Sequence, residues 1–264
     1  NMYPKVFKIK VLIAKIIYKA IHIFIKDEIV HIKRKRMNWV VRINDIVGLS
    51  IFLTGGFQTR KLKQFSSFIT SPSLLLDIGG NLGSFSIVIS KLNQNISKIL
   101  IIEPDISNLN LLQQNISNNE LSTKVTILQK YVGSIDSTSS SSYPLDAPEL
   151  DLNMYNGFPG DFIDVDQFDT KIIHEQIGEL NLAIKIDVDG NEAAVIKSLE
   201  KIIERYHPVI LLELNKILLE ENDIEYIESV LSKNNYKIVL GKKIFEADQL
   251  GNFKKAFGLD LILK

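Results

Sequence analysis

Leu74-Leu-Leu-Asp77-Ile-Gly79-Gly80-Asn81-Leu-Gly83-Ser84-Phe85-Ser86 carries the strongest structural signal in this chain of 264 residues. The run begins with aliphatic residues typical of a buried strand, and a helical pattern starts directly after Gly83. A glycine-rich turn lets backbone come close to a ligand, and the N–H groups at the start of the following helix attract an anionic group. The run therefore predicts a strand, a ligand-binding turn and a helix.

Short aliphatic runs alternate with helical stretches from this point onward. The predicted strands are Leu74–Ile78, Ile99–Glu103, Val125–Gln129, Leu182–Val188 and Val209–Leu214. Such alternation is typical of βαβ units and of a parallel sheet buried on both faces. Tyr236–Leu240 and Gly258–Leu263 have little room for a crossover helix between them, so we expect an antiparallel pair at one edge. The pattern predicts a doubly wound, Rossmann-like α/β sheet, mostly parallel with an antiparallel C-terminal strand, which is the architecture of class I methyltransferases.

The chain divides, on this interpretation, into an N-terminal helical extension over residues 1–70 and a cofactor-binding domain over residues 71–264. Residues 6–32 are predicted to form one basic amphipathic helix, in which Lys8, Lys15, Lys19 and Lys26 share a face. Its uncharged stretches are too short to span a membrane. The helix either packs on the catalytic domain or a second subunit, or lies on anionic lipid with the help of residues 33–36. A helix, a turn at Gly55–Gly56 and a second helix are expected next.

Composition excludes several classes of function. Lys and Arg number 31 and so do Asp and Glu, so the molecule has no general basic field and nucleic acid is not the expected partner. The absence of cysteine excludes disulfides, a thiolate nucleophile and a thiolate metal site. We see no secretory signal and expect a cytoplasmic protein, with membrane-peripheral contact as the alternative.

Glu103 ends the second predicted strand, where a carboxylate can accept both ribose hydroxyls of an adenosine. A dinucleotide fingerprint would need G-x-G-x-x-G, which Gly79 and Gly83 do not supply, so a nicotinamide oxidoreductase is the weaker alternative. An inactive binding module of the same fold is a further alternative. The residues expected to contact the cofactor are Asp77, Gly79, Gly80, Asn81, Gly83, Ser84, Phe85, Glu103, Pro104, Tyr131, Val132 and Asp187.

Acidic residues also follow the fourth predicted strand, at Asp187, Asp189 and Glu192. We take Asp187 or Asp189 as the candidate catalytic base, whereas Glu192 could simply favour the start of the next helix. His174 is a distant candidate. No metal is expected, although Asp187 with Glu213 and Asn215 would offer oxygen ligands to magnesium.

Four ordered motifs resemble the FkbM family of methyltransferases. They are Asp77-Ile-Gly-Gly-Asn-Leu-Gly83, Ile102-Glu-Pro-Asp105, Asp164-Val-Asp-Gln-Phe168 and Ile184-Lys-Ile-Asp-Val-Asp-Gly-Asn-Glu192, and the likeness extends over residues 45–215. The resemblance implies S-adenosylmethionine as cofactor and O-methylation of a hydroxyl on a sugar, glycan or related product. The chain departs from the family pattern at three positions, with glycine at 80, Asp189 for glutamate and Asn191 for histidine. Loss of that histidine would leave another group as base.

One long loop interrupts the pattern between residues 134 and 160. It contains a serine-rich run with prolines and glycines. Loops of this length in compact domains are usually functional or disordered. We expect it to cover the substrate.

Overall fold

The computed structural model describes residues 5–56, 59–133, 167–188, 190–214, 219–253 and 259–264. The helices are α1 (Lys5–His22), α2 (Ile46–Thr54), α3 (Thr59–Ser67), α4 (Ser84–Leu92), α5 (Ile106–Asn118), α6 (Lys171–Ile177), α7 (Glu192–Tyr206) and α8 (Glu221–Lys233). The strands are β1 (Ile29–Arg34), β2 (Met37–Arg42), β3 (Ser73–Ile78), β4 (Ile96–Ile102), β5 (Val125–Leu128), β6 (Asn181–Ile186), β7 (Val209–Leu214), β8 (Lys237–Leu240), β9 (Lys243–Glu246) and β10 (Leu259–Leu263). A 3₁₀ helix covers Ala247–Phe253.

Eight of these strands form the central sheet, in the order β5-β4-β3-β6-β7-β10-β8-β9. The five strands from β5 to β7 are parallel, and β10 runs antiparallel to both β7 and β8. This confirms the predicted fold class and the antiparallel pair near the C-terminus. The short β9, which closes the edge beside β8, was not predicted.

Apolar side chains cover both faces of the sheet, because successive residues of each strand point to opposite sides. One buried cluster joins Leu76 of β3 and Ile184 of β6 to Ile196 of α7. The other joins Leu75 of β3 to Ile87 of α4. Helices therefore lie on both faces, and the central strand β3 is buried at every residue. Because β4, β3 and β6 lie side by side and run parallel, their carboxyl ends meet at one edge of the sheet.

The helix predicted over residues 6–32 is wrong in its second half. It ends at His22, and residues 29–34 form strand β1, which pairs antiparallel with β2. The β-branched residues Ile29, Val30 and Ile32 favour a strand. Lys35 and Arg36 form the two-residue connection, and both have positive φ, at 49° and 63°. Such a turn matches the twist of a hairpin. Lys26 therefore lies outside the helix whose face it was predicted to share.

The N-terminal segment is also not helical throughout, as the predicted extension would require. Trp39 of β2 and Phe65 of α3 belong to the same buried cluster as Leu75 and Ile87. Asn115 of α5 ties β2 to the domain, since its side chain accepts from the Val40 N–H at 2.6 Å and donates to the Val40 carbonyl at 3.1 Å. Residues on both sides of position 70 thus share one core, and a domain boundary there remains a prediction.

The predicted helix, turn and helix before β3 are confirmed. Helix α2 begins after Asp45, whose side chain accepts from the N–H groups of Val47 and Gly48, and ends at Gly55 in the left-handed conformation. Among the described residues, no helix is long and apolar enough to cross a membrane. The predicted lid over residues 134–160 lies outside the described part of the chain.

Candidate active site

The turn after β3 is joined to the end of β4 by backbone hydrogen bonds. The N–H groups of Gly79 and Gly80 both donate to the carbonyl of Ile102, at 3.0 and 3.1 Å. The next residue of β4's chain, Glu103, accepts from the Asn81 N–H at 2.7 Å. The turn and Glu103, which the sequence predicted to bind one ligand, are therefore adjacent at the carboxyl edge of the sheet.

Glu103 is held on both oxygens by the protein itself. Its Oε1 accepts from the Asp105 N–H at 3.0 Å and from the Asn108 side chain at 3.4 Å, and its Oε2 accepts from Asn81. Only 1% of the residue is exposed. Burial raises the pKa of Glu103 to about 7, although the three donors oppose that shift. The site therefore holds a carboxyl that loses its proton near neutral pH.

The glycines of the turn serve internal packing, which differs from the reason that the sequence suggested. A Cβ on Gly79, whose φ is +79°, would lie 1.9 Å from the carbonyl oxygen of Asp187. A Cβ on Gly80 would lie 2.1 Å from Ile101, and one on Gly83 would lie 2.6 Å from Leu112. Protein atoms thus fill the space that side chains would need, so the glycines let β4, β6 and α5 close around the turn.

Gly79→Ala is expected to lower the free energy of unfolding by about 3 kcal/mol, since it adds overlap with a carbonyl to the cost of positive φ. Gly241→Ala is the matched control, because Gly241 also has positive φ but nothing within 4 Å of its Cβ position. That control should lose only about 1 kcal/mol. Urea unfolding of both variants measures the difference, and equal losses would contradict the packing role of Gly79.

A buried ion network crosses from β3 to β6 behind the turn. Lys185 Nζ lies 3.3 Å from Asp77 Oδ1 and 3.3 Å from Asp187 Oδ2, and it donates to the carbonyl of Gly79 at 2.6 Å. The hydroxyl of Ser86 donates to the other oxygen of Asp77 at 2.6 Å. Burial alone would lower the pKa of Lys185, but Asp187 and Asp77 outweigh it and raise that pKa above its ordinary value. Lys185 is therefore a cation under ordinary conditions.

Lys185 is the site residue that the sequence analysis missed. It stands in an aliphatic strand, two residues before Asp187 and on the same face. A lysine at such a position is rarely buried without partners. That mismatch was the available signal, but Asp77 as its partner required the parallel pairing of Asp77 with Lys185 across β3 and β6.

Asp187 follows β6 at the carboxyl edge, and 27% of its side chain is exposed. It is the one proposed catalytic residue in the described part of the chain, because Asp189 lies outside it. Glu192 is buried and accepts from the Gly190 N–H at 3.1 Å, which favours the interpretation that it stabilises the start of α7. Asn191 donates to the carbonyl of Val132 at 2.9 Å and so ties the segment after β5 to α7.

The other predicted cofactor contacts differ in exposure. Ser84, Phe85 and Val132 are buried, while Pro104 and Tyr131 are half-buried near the ends of β4 and β5. Val132 belongs to an apolar cluster, so its backbone rather than its side chain is suited to a ligand. All of them remain predicted contacts.

His174 lies near the amino ends of the parallel strands, away from the glycine turn. Its Nδ1 is 2.6 Å from the hydroxyl of Tyr206, which ends α7 just before β7 begins. Asp187, in contrast, follows the carboxyl end of β6. This position does not favour His174, the distant candidate, as the base.

The magnesium alternative finds no support among the described residues, which contain no cluster of three or more His, Asp or Glu side chains suited to a metal. Asn215 lies outside them. Glu213 faces Asp260 on the neighbouring strand, and Lys61 forms an ion pair with Asp260. The ammonium group of Lys61 already supplies positive charge beside these carboxylates.

Comparison with known families identifies the domain that holds this site. The family model of the methyltransferase FkbM domain matches residues 77–238 of this chain. The chain belongs to the FkbM methyltransferase family. The match begins at Asp77 and contains Glu103, Lys185 and Asp187, so the family domain includes the whole network described above. The resemblance read from the motifs is confirmed.

Solved structures similar to this FkbM-family chain include the following three. Methyltransferase FkbM from Methylobacillus flagellatus KT is 18% identical, with 82% of this chain and 52% of that chain covered and a TM-score of 0.43. M. jannaschii TYW2 in complex with AdoMet is 14% identical, with 91% of this chain and 85% of that chain covered and a TM-score of 0.44. The complex of aTrm5 and tRNALeu is 19% identical, with 39% of this chain and 28% of that chain covered and a TM-score of 0.31. The chain thus spans about half of the FkbM structure and little more than a quarter of aTrm5. No curated protein matches the chain.

S-adenosylmethionine is the methyl donor that the family assignment brings with it. Glu103 fits the adenosine of this cofactor as a hydrogen-bond acceptor. A carboxylate has about four lone-pair positions, and the protein itself occupies three of those of Glu103. The ribose hydroxyls would share Oε2 with the Asn81 N–H or displace it. The N-terminus of α4, directly after Gly83, suits the carboxylate of the cofactor.

Proposed function

We propose that the chain is an S-adenosylmethionine-dependent O-methyltransferase that acts on a hydroxyl of a sugar, glycan or related metabolite. The observation that supports this most is the partly exposed carboxylate of Asp187, 3.3 Å from Lys185 and beside the glycine turn. A hydroxyl is a weak nucleophile until a nearby group accepts its proton. Asp187 is the described carboxylate suited to that task at this edge.

Three residues divide the work on this proposal. Glu103 binds the ribose of the cofactor, which supplies a methyl group bonded to a sulfonium. Asp187 accepts the hydrogen bond of the acceptor hydroxyl and aligns its oxygen, and the ion pair with Lys185 holds the Asp187 side chain in place. Because Lys185 also binds the carbonyl of Gly79, one cation fixes the positions of both the glycine turn, which binds the cofactor, and Asp187, which binds the methyl acceptor.

Asp187→Asn is expected to lower kcat about 100-fold, since the amide accepts a proton far less readily than the carboxylate. Affinity for S-adenosylhomocysteine should stay within about twofold, because Asp187 acts on the acceptor side. Asp248→Asn, which changes an exposed aspartate in the 3₁₀ helix, is the control and should leave both values unchanged. Equal kcat for Asp187→Asn and the wild type would exclude Asp187 as the group that accepts the proton of the substrate hydroxyl.

The acceptor class is tested with methyl-labelled S-adenosylmethionine and a panel of sugars, glycans and polyols, each paired with an analogue whose hydroxyls are blocked. Label that enters the free acceptors as an ether and not the blocked ones supports O-methylation. Label on nitrogen, or on RNA included in the panel, would reject it while leaving methyl transfer intact.

The two alternative functions are separated by thermal unfolding with S-adenosylhomocysteine and with NAD. A ligand at about 100 times its dissociation constant stabilises the folded chain by roughly 2.7 kcal/mol. Stabilisation by NAD alone would support the oxidoreductase. Stabilisation by S-adenosylhomocysteine without turnover of any acceptor would support an inactive binding module.

A further inference from the structure

Helix α1 is apolar on two opposite faces. One face packs against the domain, where Tyr18 is buried and Ala14, Ile17 and Ile21 lie against the same apolar cluster as Trp39. Residues three and four apart on a helix lie on one side, so these four residues form a single packed face. This face accounts for the attachment of α1 to the rest of the chain.

The opposite face of α1 carries a second set of large apolar side chains, which solvent reaches. This exposed stripe consists of Leu12, Ile13 and Ile16 on α1 and of Ile23 and Phe24 in the turn that directly follows it. Ile16 is 60% exposed, and Phe24, just after the helix ends, is 86% exposed. Exposed apolar residues are ordinary when scattered, whereas a row along one helix face indicates a binding surface.

The N-terminal segment that carries the exposed stripe is also rich in positive charge. Lys19 and Lys26 are exposed on and just after α1, and the β1–β2 turn presents residues 33–36, which are Lys, Arg, Lys and Arg. Residues 1–36 contain ten Lys or Arg and only Asp27 and Glu28 as acids, which gives a net charge of +8 in a chain of zero net charge. Apolar and cationic groups are thus concentrated on the same N-terminal segment.

We propose that the exposed stripe lies on an anionic lipid surface, with its apolar side chains at the acyl boundary and the cations of the same N-terminal segment at the headgroups. This arrangement is typical of interfacial helices, which combine buried apolar area with attraction to anionic lipid. The inference goes beyond the proposed function and does not depend on the acceptor. It gives the protein a membrane-peripheral position.

Charge favours lipid over a second copy of the chain. A two-fold dimer would bring the same surface of each copy together and so oppose two strongly basic segments. An anionic bilayer complements those charges instead. RNA would also attract the cations, but its phosphates leave the exposed stripe unexplained, since isoleucine and phenylalanine at these positions contribute nothing to phosphate contacts.

The test uses the full chain and sedimentation with two kinds of vesicle, phosphatidylcholine alone and phosphatidylcholine with phosphatidylglycerol. We expect strong retention by the anionic vesicles, weakened by added salt, and little by the neutral ones. Ile16→Glu with Phe24→Glu should lower the partition coefficient tenfold or more, by roughly the cost of exposing two large apolar side chains. Lys33→Gln with Arg36→Gln should lower it about fivefold for each charge removed.

Matched controls separate the surface from general changes in charge or hydropathy. Leu92→Glu with Ile244→Glu alters two exposed apolar residues outside the stripe, and Lys197→Gln with Lys201→Gln removes two exposed lysines of α7. Both should keep wild-type partitioning, and circular dichroism verifies that every variant is folded.

Three results would overturn the proposal. The first is equal retention of the wild type and the Ile16→Glu, Phe24→Glu variant by anionic vesicles. The second is a dimer in analytical ultracentrifugation that the same variant dissociates, with no retention by either vesicle. The third is binding to RNA that is insensitive to the apolar changes, again without retention by vesicles.

Discussion

Lys185→Met is expected to lower the free energy of unfolding by about 3 to 5 kcal/mol. The variant keeps the apolar stem but removes the ammonium group that lies 3.3 Å from both Asp77 and Asp187. Asp77 is fully buried, so its carboxylate would lose its cation without gaining water. Urea unfolding at neutral pH, with the slope checked against the wild type, measures the loss.

A double-mutant cycle with Asp77→Asn shows whether the loss belongs to the ion pair. Asn keeps an acceptor for the Ser86 hydroxyl but carries no charge, so the double variant should be more stable than the sum of the two single losses predicts. Lys197→Met, at an exposed position of α7, is the control and should change stability by less than about 0.5 kcal/mol. A loss as small as this at Lys185 would mean that the network contributes little.

The five parallel strands were predictable because four of them are buried over most of their length, and the partly buried edge strand β5 has a similar aliphatic composition. Such strands appear in the sequence as continuous aliphatic runs, as in Leu74–Ile78, and ordinary helices separate them. The predicted ends agreed with the observed strands within one or two residues, except that β4 begins three residues earlier than predicted. The positions of these strands could be read from the sequence because a buried strand requires apolar residues.

The β1–β2 hairpin was missed because its turn has an unusual sequence. Hairpin turns with two residues of positive φ usually contain asparagine or glycine, whereas this one contains Lys35 and Arg36. The segment that precedes the turn also contains no glycine or proline to mark the end of α1. Pairing with β2, and the burial of Trp39 against the domain, decided the outcome.

The site was partly predictable for a similar reason. Motif order identified Glu103, Asp187 and the glycine turn, since these residues follow strands whose carboxyl ends must meet. The packing role of the glycines was not predicted, because the atoms that occupy their Cβ positions belong to Ile101, Leu112 and Asp187, which are distant in sequence. The parallel pairing of β3 with β6 is likewise required to bring Lys185 to Asp77.

Asn191 illustrates what a departure from the family pattern can mean. Histidine at that position suggested a catalytic base in relatives, and its replacement left the base uncertain. In this chain the asparagine is buried and donates to the Val132 carbonyl. It joins two loops at the carboxyl edge, which is a structural task, and the base is therefore sought at Asp187.

Between pH 5 and pH 8, the free energy of unfolding is expected to fall by about 2.5 kcal/mol more in the wild type than in Glu103→Gln. Burial raises the folded-state pKa of Glu103 from its ordinary 4.5 to about 7, so the folded chain holds this proton more tightly than the unfolded chain. Stability is therefore lost as pH rises through this interval. Gln has no proton to release, and urea unfolding at both pH values measures the difference.

Comparing the two pH values removes the fixed cost of placing an amide against the Asn81 N–H, because that cost is the same at each pH. Glu175→Gln, at an exposed position of α6, is the control and should keep the wild-type dependence on pH. If Glu103→Gln also keeps it, Glu103 is ionised throughout the interval and the raised pKa is wrong.

The same proton should govern binding of the cofactor. Ribose hydroxyls donate to an ionised carboxylate more strongly than to a neutral one, so ligand binding must first release the proton of Glu103. With a pKa of about 7, the ionised fraction of Glu103 rises roughly tenfold from pH 6 to pH 8, and the affinity for S-adenosylhomocysteine should rise with it. Calorimetry in buffers of different ionisation enthalpy would detect the released proton. Glu103→Gln should bind weakly at both pH values and release none, whereas tight binding by that variant would show that the ribose is held elsewhere.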